Sequence, residues 1–211
     1  MSDPYRSSQP SRDPSVVSRR LAVIAAGHRG DLAAAQAATT DVEPSVRAAA
    51  LAACARAGGW SAQLATQGAS DRDDLVRTRS YELTSAGEVE VGLLAEGLEA
   101  ADPLCVVACC AALGRCGATA AAAELVAVAR SHGDARCQEA AVAALGELGD
   151  PAGLPAVLEA TEGKPAMRRR AAVALAGFDD PEVEVALDRL AEDRDWQVRD
   201  VVARLRREPI T

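Results

Sequence analysis

Large side chains are what this sequence has least of. Among 211 residues only five are aromatic (Tyr5, Trp60, Tyr81, Phe178 and Trp196), whereas 48 are alanine. A thick central core depends on aromatics and large aliphatics, which bury far more area than alanine. Their scarcity excludes such a core and predicts thin layers of closely approaching helices, because alanine is also the best helix former. Long hydrophobic runs are missing as well. The longest uncharged apolar stretch, Leu104–Leu113, has ten residues, too short to span a bilayer. The opening MSDPYRSSQPSRDPS has no apolar segment of the signal-peptide kind. These absences predict a soluble cytoplasmic protein without membrane contact, in which Cys54, Cys105, Cys109, Cys110, Cys116 and Cys137 stay reduced.

Positive charge is in short supply too. Lysine and arginine total 23 against 31 acids, a net charge of −8. The balance is +2 over residues 1–40 and −5 over each of 41–130 and 131–211. An acidic body does not attract phosphate polyanions, so nucleic acid is not an expected partner. Histidine is limited to His28 and His132, both in apparent turns, and neither begins an H-E-x-x-H spacing. There is no P-loop, no G-x-S-x-G and no G-x-G-x-x-G. No catalytic residue, metal-ligand set or cofactor is therefore assigned.

What the chain does have is a repeat. Asp13-Pro-Ser-Val16, Glu43-Pro-Ser-Val46, Asp102-Pro-Leu-Cys105 and Pro165-Ala-Met167 share one pattern, and Asp134-Ala-Arg-Cys137 and Asp195-Trp-Gln-Val198 keep it without proline. A looser copy is Asp73-Asp-Leu75, where Val76-Arg77 fits nearly as well. The apolar anchors Val16, Val46, Leu75, Cys105, Cys137, Met167 and Val198 are 30, 29, 30, 32, 30 and 31 residues apart. An acid before proline is a helix cap followed by proline at the first helical position, where its missing N–H costs nothing. Apolar or small residues then recur at anchor +4 and +8, as in Val46, Ala50 and Cys54, which is one stripe of an amphipathic helix. Glycines at 27, 58, 87, 117, 149 and 177 are read as helix ends. A second helix follows each, clearest at Pro151–Thr161 and Pro181–Ala191. The unit is a helical hairpin of about 30 residues that buries its stripe only by stacking on its neighbours.

The segments Val46-Arg-Ala-Ala-Ala-Leu-Ala-Ala, Gln138-Glu-Ala-Ala-Val-Ala-Ala-Leu-Gly-Glu-Leu-Gly-Asp-Pro151 and Arg169-Arg-Ala-Ala-Val-Ala-Leu resemble HEAT repeats, closest to the short type named after phycobilin lyases. The resemblance runs over residues 14–207. It implies an all-α protein: a right-handed, armadillo-like α-solenoid of six to seven hairpins. It further implies that the helices starting near 14, 44, 74, 103, 134, 165 and 196 line the concave face. Together these readings predict a disordered tail over 1–13, one solenoid domain over 14–208, and about thirteen helices without strands. Some HEAT-like proteins are iron hydroxylases with His-Glu dipeptides, and this chain has none. Others are chromophore lyases or alkylated-base DNA glycosylases, the enzyme alternatives that the resemblance carries.

Candidate functional residues are those that depart from the repeat. Arg47, Arg168 and Arg199 stand one residue after their anchors, with Arg77 close to that position. With Asp41, Asp71 and Asp195 at the preceding turns, they resemble an Asp/Arg ladder that joins neighbouring units. Alternatively, the arginines near the C-terminal end form a basic ridge beside Trp196. Tyr81 and Trp196 are read either as binding aromatics or as space fillers. Cys105, Cys109 and Cys116 lie at 0°, 40° and 20° on one helix, a stripe suited to core packing or to a soft metal. The expected function is a noncatalytic scaffold binding a protein or peptide, or a permanent subunit of a larger assembly. The expected contacts are Arg77, Tyr81, Arg168, Trp196 and Arg199, because arginine and aromatics dominate desolvated contacts.

Overall fold

The computed structural model describes residues 13–84 and 88–207, with backbone alone at 88 and 89. The described residues form thirteen α-helices, three short 3-10 turns and no strand. The stripe helices are α1 (Pro14–Arg29), α3 (Pro44–Arg56), α5 (Asp74–Leu83), α7 (Pro103–Arg115), α9 (Ala135–Leu148), α11 (Pro165–Leu175) and α13 (Trp196–Leu205). Between them lie α2 (Leu32–Ala37), α4 (Ala62–Ala69), α6 (Glu88–Gly97), α8 (Ala122–Ser131), α10 (Leu154–Ala160) and α12 (Pro181–Ala191). Their order is that of consecutive hairpins. The chain divides into two compact units, one ending at Thr84 and the other beginning at Ser85. In the first, α3 packs on α1 and α5; in the second, α7, α9, α11 and α13 pack in succession. Of the expected tail, residues 1–12 lie outside the described residues, and Asp13 caps α1.

Local chemistry explains the starts. Asp13, Asp73, Asp102, Asp134 and Asp195 each accept, through their carboxylates, the N–H two residues on, satisfying a donor that the helix leaves unpaired. Glu43 and Lys164 make no such side-chain bond, and there proline occupies the first turn instead. Gly30, Gly58, Gly117 and Gly149 follow helices with positive φ, where a Cβ is strained. Gly27 does different work from the helix end expected of it, and Gly177, just past the end of α11, adds a close approach to that role. Helix α1 runs on to Arg29, and Gly27 is buried, where an added Cβ would come within 2.7 Å of the Ala53 backbone. A Cβ on Gly177 would strike the Gly146 carbonyl oxygen. Gly87 lies outside the described residues.

The stripe itself is the core. Val46, Cys105, Cys137 and Val198 are fully buried, as are Cys54, Leu113, Leu145 and Leu175 eight residues after anchors. In α5 the buried residue is Val76 and not Leu75, so the third repeat is anchored at Val76, with Ser80 and Thr84 buried at +4 and +8. That one-residue choice places Arg77 at +1, where Arg47, Arg168 and Arg199 stand. Helix α1 is the exception, since Val23, Ala26 and Gly27 are buried while Ile24 is only half-buried.

Candidate interaction surface

The arginines one residue after the anchors are fixed by a recurrent geometry. Arg47 donates through Nη1 to the carbonyls of Asp41 and Val42, at 2.9 and 3.1 Å. Its Nε and Nη2 fork onto the Asp71 carboxylate of the next hairpin, at 2.8 and 2.7 Å. Arg168 repeats this with the Gly163 carbonyl at 2.8 Å and the Asp193 carboxylate at 2.7 and 2.8 Å. Helix α1 makes the same rung from two positions later, Arg19 forking onto Asp41. Each acceptor also takes the N–H two residues on: Asp41 from Glu43, Asp71 from Asp73, and Asp193 from Asp195. The motif is thus Asp-x-[Asp/Glu], in which the first acid binds the rung and the second stands at the helix cap. One bidentate pair of charge-assisted bonds per rung makes it both specific and strong. Asp41 and Asp71 were correctly read as rung acids, whereas Asp193 and not Asp195 serves α13. Asp195 caps α13 and sits 3.8 Å from Arg169.

Rungs hold these carboxyls below their ordinary range. The Arg19 fork does so at Asp41 and the Arg168 fork at Asp193. At Asp71, burial alone pushes the carboxyl up, but the Arg47 fork and the Asp73 N–H outweigh it. At the other junctions the sequence lacks the pair. Position −5 from the anchor is Ala100, His132 and Glu162, and position +1 is Val106 and Gln138 in α7 and α9. His132 keeps half of the aspartate's role, its Nδ1 accepting the Asp134 N–H at 3.0 Å.

The five residues expected to bind fall into different environments. Arg77 and Tyr81 belong to the first unit; Arg168, Trp196 and Arg199 to the second. Arg77 donates to the Asp71 carbonyl at 2.8 Å and pairs with Asp74. Tyr81 is 6% exposed and occupies anchor +5, the interior position held by Leu51 in α3. A side chain so placed offers no surface to a partner. Arg168, also 6% exposed, is consumed by its rung. Trp196, in contrast, is 65% exposed at the start of α13, and Arg199 is exposed with one hydrogen bond, to the Asp193 carbonyl. The split follows the element: Arg168 at +1 faces the next stripe helix, whereas Arg199 at +1 and Trp196 at −2 lie on α13, after which no described helix follows. Positions −1, +3 and +6 turn to the open side of the row.

On that open side of the second unit, α11 presents Arg169, Arg170 and Val173, and α13 presents Gln197 and Arg204. Arg169 bridges the two helices through the Gln197 side-chain oxygen at 2.8 Å. Arg204 is neutralised by Asp200. Arg170 has no ion-pair partner among the described residues, and Val173 beside it is half exposed. These residues sit next to the predicted Arg168 in sequence, and the run Arg168-Arg169-Arg170 was the available signal for them.

The cysteine stripe is interior. Cys105, Cys109, Cys110 and Cys137 are fully buried, and Cys116 at the helix end is half-buried. Burial raises the Cys109 thiol strongly, and pushes Cys110 to about 12 and Cys137 to about 11. Thiols held so far from ionisation are poor nucleophiles and poor ligands. Cys137 donates weakly to the Pro103 carbonyl across the α7–α9 junction.

Residues 91–173 match the family described as HEAT repeats. This stretch is a HEAT-repeat array. Comparison with curated proteins gives no match by sequence. Among solved structures, an engineered protein from the Northeast Structural Genomics Consortium is 17% identical with a TM-score of 0.60, covering 82% of this chain and 94% of that one. The complex of CpcE and CpcF of phycocyanin lyase from Nostoc sp. PCC7120 is 21% identical with a TM-score of 0.52, covering 92% and 91%. Human deoxyhypusine hydroxylase in complex with glycerol is 22% identical with a TM-score of 0.48, covering 91% and 79%. The first two likenesses concern the fold, that of a HEAT-type helical array. No helix among the described residues is long and apolar enough to cross a membrane.

Proposed function

We propose that this chain is a noncatalytic scaffold that binds a protein or peptide, and that the open side of α11 and α13 carries the contact. The supporting observation is the juxtaposition of unpaired Arg170 with half-exposed Val173 and the bridging Arg169. A cation over an apolar patch suits an acidic, amphipathic peptide, because the charge steers encounter and the patch supplies buried area. A noncatalytic role is favoured by how the reactive groups are spent. The lowered carboxyls Asp41, Asp71 and Asp193 hold turns and rungs, and the interior thiols are kept protonated. The overall negative charge disfavours nucleic acid, and the reduced interior cysteines fit a cytoplasmic setting.

The test begins with capture of a partner from native extract by the tagged chain, followed by titration calorimetry with the purified partner. Replacing Arg169, Arg170 and Val173 together by alanine should weaken binding by about tenfold or more and flatten its salt dependence. A folded triple variant that binds as the parent does, with the same salt dependence, removes the contact from this face. If the captured complex instead turns over a small molecule, the enzyme alternative takes its place.

A further inference from the structure

The last stripe helix repeats the first half of a rung and leaves the second half open. Arg47 and Arg168 each use Nη1 on their own loop carbonyl and fork Nε and Nη2 onto the next hairpin's aspartate. Arg199 makes the first contact, Nη1 to the Asp193 carbonyl at 2.6 Å. Among the described residues no helix follows α13, and no carboxylate meets the remaining nitrogens. The same edge is uncovered two other ways. At anchor +5, Leu51, Cys110, Val142 and Ala172 are buried in α3, α7, α9 and α11, whereas Ala203 of α13 is exposed, as is Leu21 of α1. Trp196, Arg199 and Ala203 stand at about 160°, 100° and 140° around α13 from its anchor Val198, so they share one side. It carries an exposed tryptophan, a small residue that permits close helix approach, and a guanidinium with its fork free.

We infer that this edge of α13 docks a helix of another protein whose preceding turn carries Asp-x-[Asp/Glu], the first carboxylate closing the rung on Arg199. The inference rests on the scaffold reading above but concerns a different face. Charge and precedent choose the occupant. A bidentate guanidinium fork selects a carboxylate held in a fixed orientation, and the chain builds such a junction three times within itself. A second copy of this chain is a poor occupant, because its Asp41, Asp71 and Asp193 are already gripped by Arg19, Arg47 and Arg168. The neighbouring Arg206 does not compete for the incoming acid, since Asp188 and Glu184 of α12 hold it.

A second copy of residues 178–207, joined directly after Arg207 in place of residues 208–211, is the probe. It supplies the turn and helix at high effective concentration, so that even weak docking is visible. Melting followed by circular dichroism is compared for this extended chain, for Asp193→Asn within the appended copy, for Arg199→Gln in the parent portion, and for the two combined. Each single change should lower the upper melting temperature by about 4 °C or more, and the double variant should fall no further than either one. Independent, additive shifts, or none, overturn the inference. Loss of partner binding in the Arg169/Arg170/Val173 variant alongside additive shifts here would leave the scaffold standing and remove this edge alone. Coupled shifts without any partner for the open side would do the reverse.

Discussion

Substituting Asp71 by asparagine isolates what a rung contributes. Asparagine keeps an oxygen to accept the Asp73 N–H, now 2.9 Å from Asp71, so the turn survives and only the charge is lost. Arg47 then has its two loop carbonyls but no counter-charge. It is 6% exposed, and the side chains of the pair are 7% and 14% exposed. Breaking a fully buried pair costs about 3–5 kcal/mol, because a charge is stranded, and breaking a surface pair about 0.2–1 kcal/mol. Arg47–Asp71 lies between, nearer the buried limit. Both side chains keep some contact with water, so about 2–3 kcal/mol is the expected loss. For a chain of this length that corresponds to a fall of about 4–12 °C in melting temperature.

Urea unfolding and thermal melts of Asp71→Asn, Arg47→Met and the double variant decide the matter. Methionine replaces the arginine stem without its charge, so the double variant removes both charges from the junction. It should be less destabilised than the sum of the singles, by about 1 kcal/mol or more. A single-variant loss below about 1 kcal/mol would place the pair among ordinary surface ion pairs. Strict additivity would mean that the fork is geometry without energy. Either result refutes the ladder as a stabilising element.

Stability should fall in acid. Asp41, Asp71, Asp193 and Asp134, the last at about 2 beside Arg136, have folded pKa values below the ordinary 3.8. Their contribution is therefore complete above that value and lost as pH drops through the folded ones, so melting temperature should decline from about pH 4 towards 2. A profile flat over that range would contradict the assignment. Gly146→Ala should cost about 1–3 kcal/mol, since its Cβ would lie 2.5 Å from the Ala174 backbone and force α9 from α11; an unchanged urea midpoint would show that the helices slide freely. Thiol titration should label Cys116 first and the five buried cysteines only after denaturant is added. Rapid labelling of all of them, or one zinc per chain by elemental analysis, would transfer the stripe from packing to chemistry.

The repeat was legible because its signals are local. Proline, acid and anchor predict helix starts at 14, 44, 74, 103, 134, 165 and 196, and six of the seven coincide with the structure, the fifth falling at 135. Faces were harder to read. Periodicity finds the buried stripe, but whether +1 or +3 meets a neighbouring helix depends on the direction in which hairpins stack, which one helix does not encode. Arg168 and Tyr81 were chosen as departures from an alanine-rich consensus, and both depart because a neighbour needs them inside. Doublets such as Asp193-Arg-Asp195 likewise hide two jobs in one composition. Only the hydrogen bonds separate the rung acid from the cap. Glycine misled for a related reason: Gly27 ends no helix, and its value is the close approach of Ala53.

Two devices join consecutive stripe helices, and their distribution says where binding has room. The α3–α5 and α11–α13 junctions carry the Arg47–Asp71 and Arg168–Asp193 rungs. The α7–α9 and α9–α11 junctions have no such rung; there Gly114 lies close to the Ala144 backbone and the Glu147 side chain, and Gly146 meets the Ala174 backbone so closely that no side chain fits at that point. The first junction, α1–α3, uses both Arg19–Asp41 and Gly27–Ala53. A rung orients through charge and tolerates spacing, whereas a glycine contact demands a complementary small residue on the partner and selects by shape alone. An incoming helix is therefore recognised more readily at a rung than at a glycine contact, because the carboxylate aligns it before the surfaces meet. Arg199 is the rung arginine that remains exposed, and this is why charge reversal there, by Arg199→Glu, should discriminate against an acidic turn more sharply than removal of Trp196.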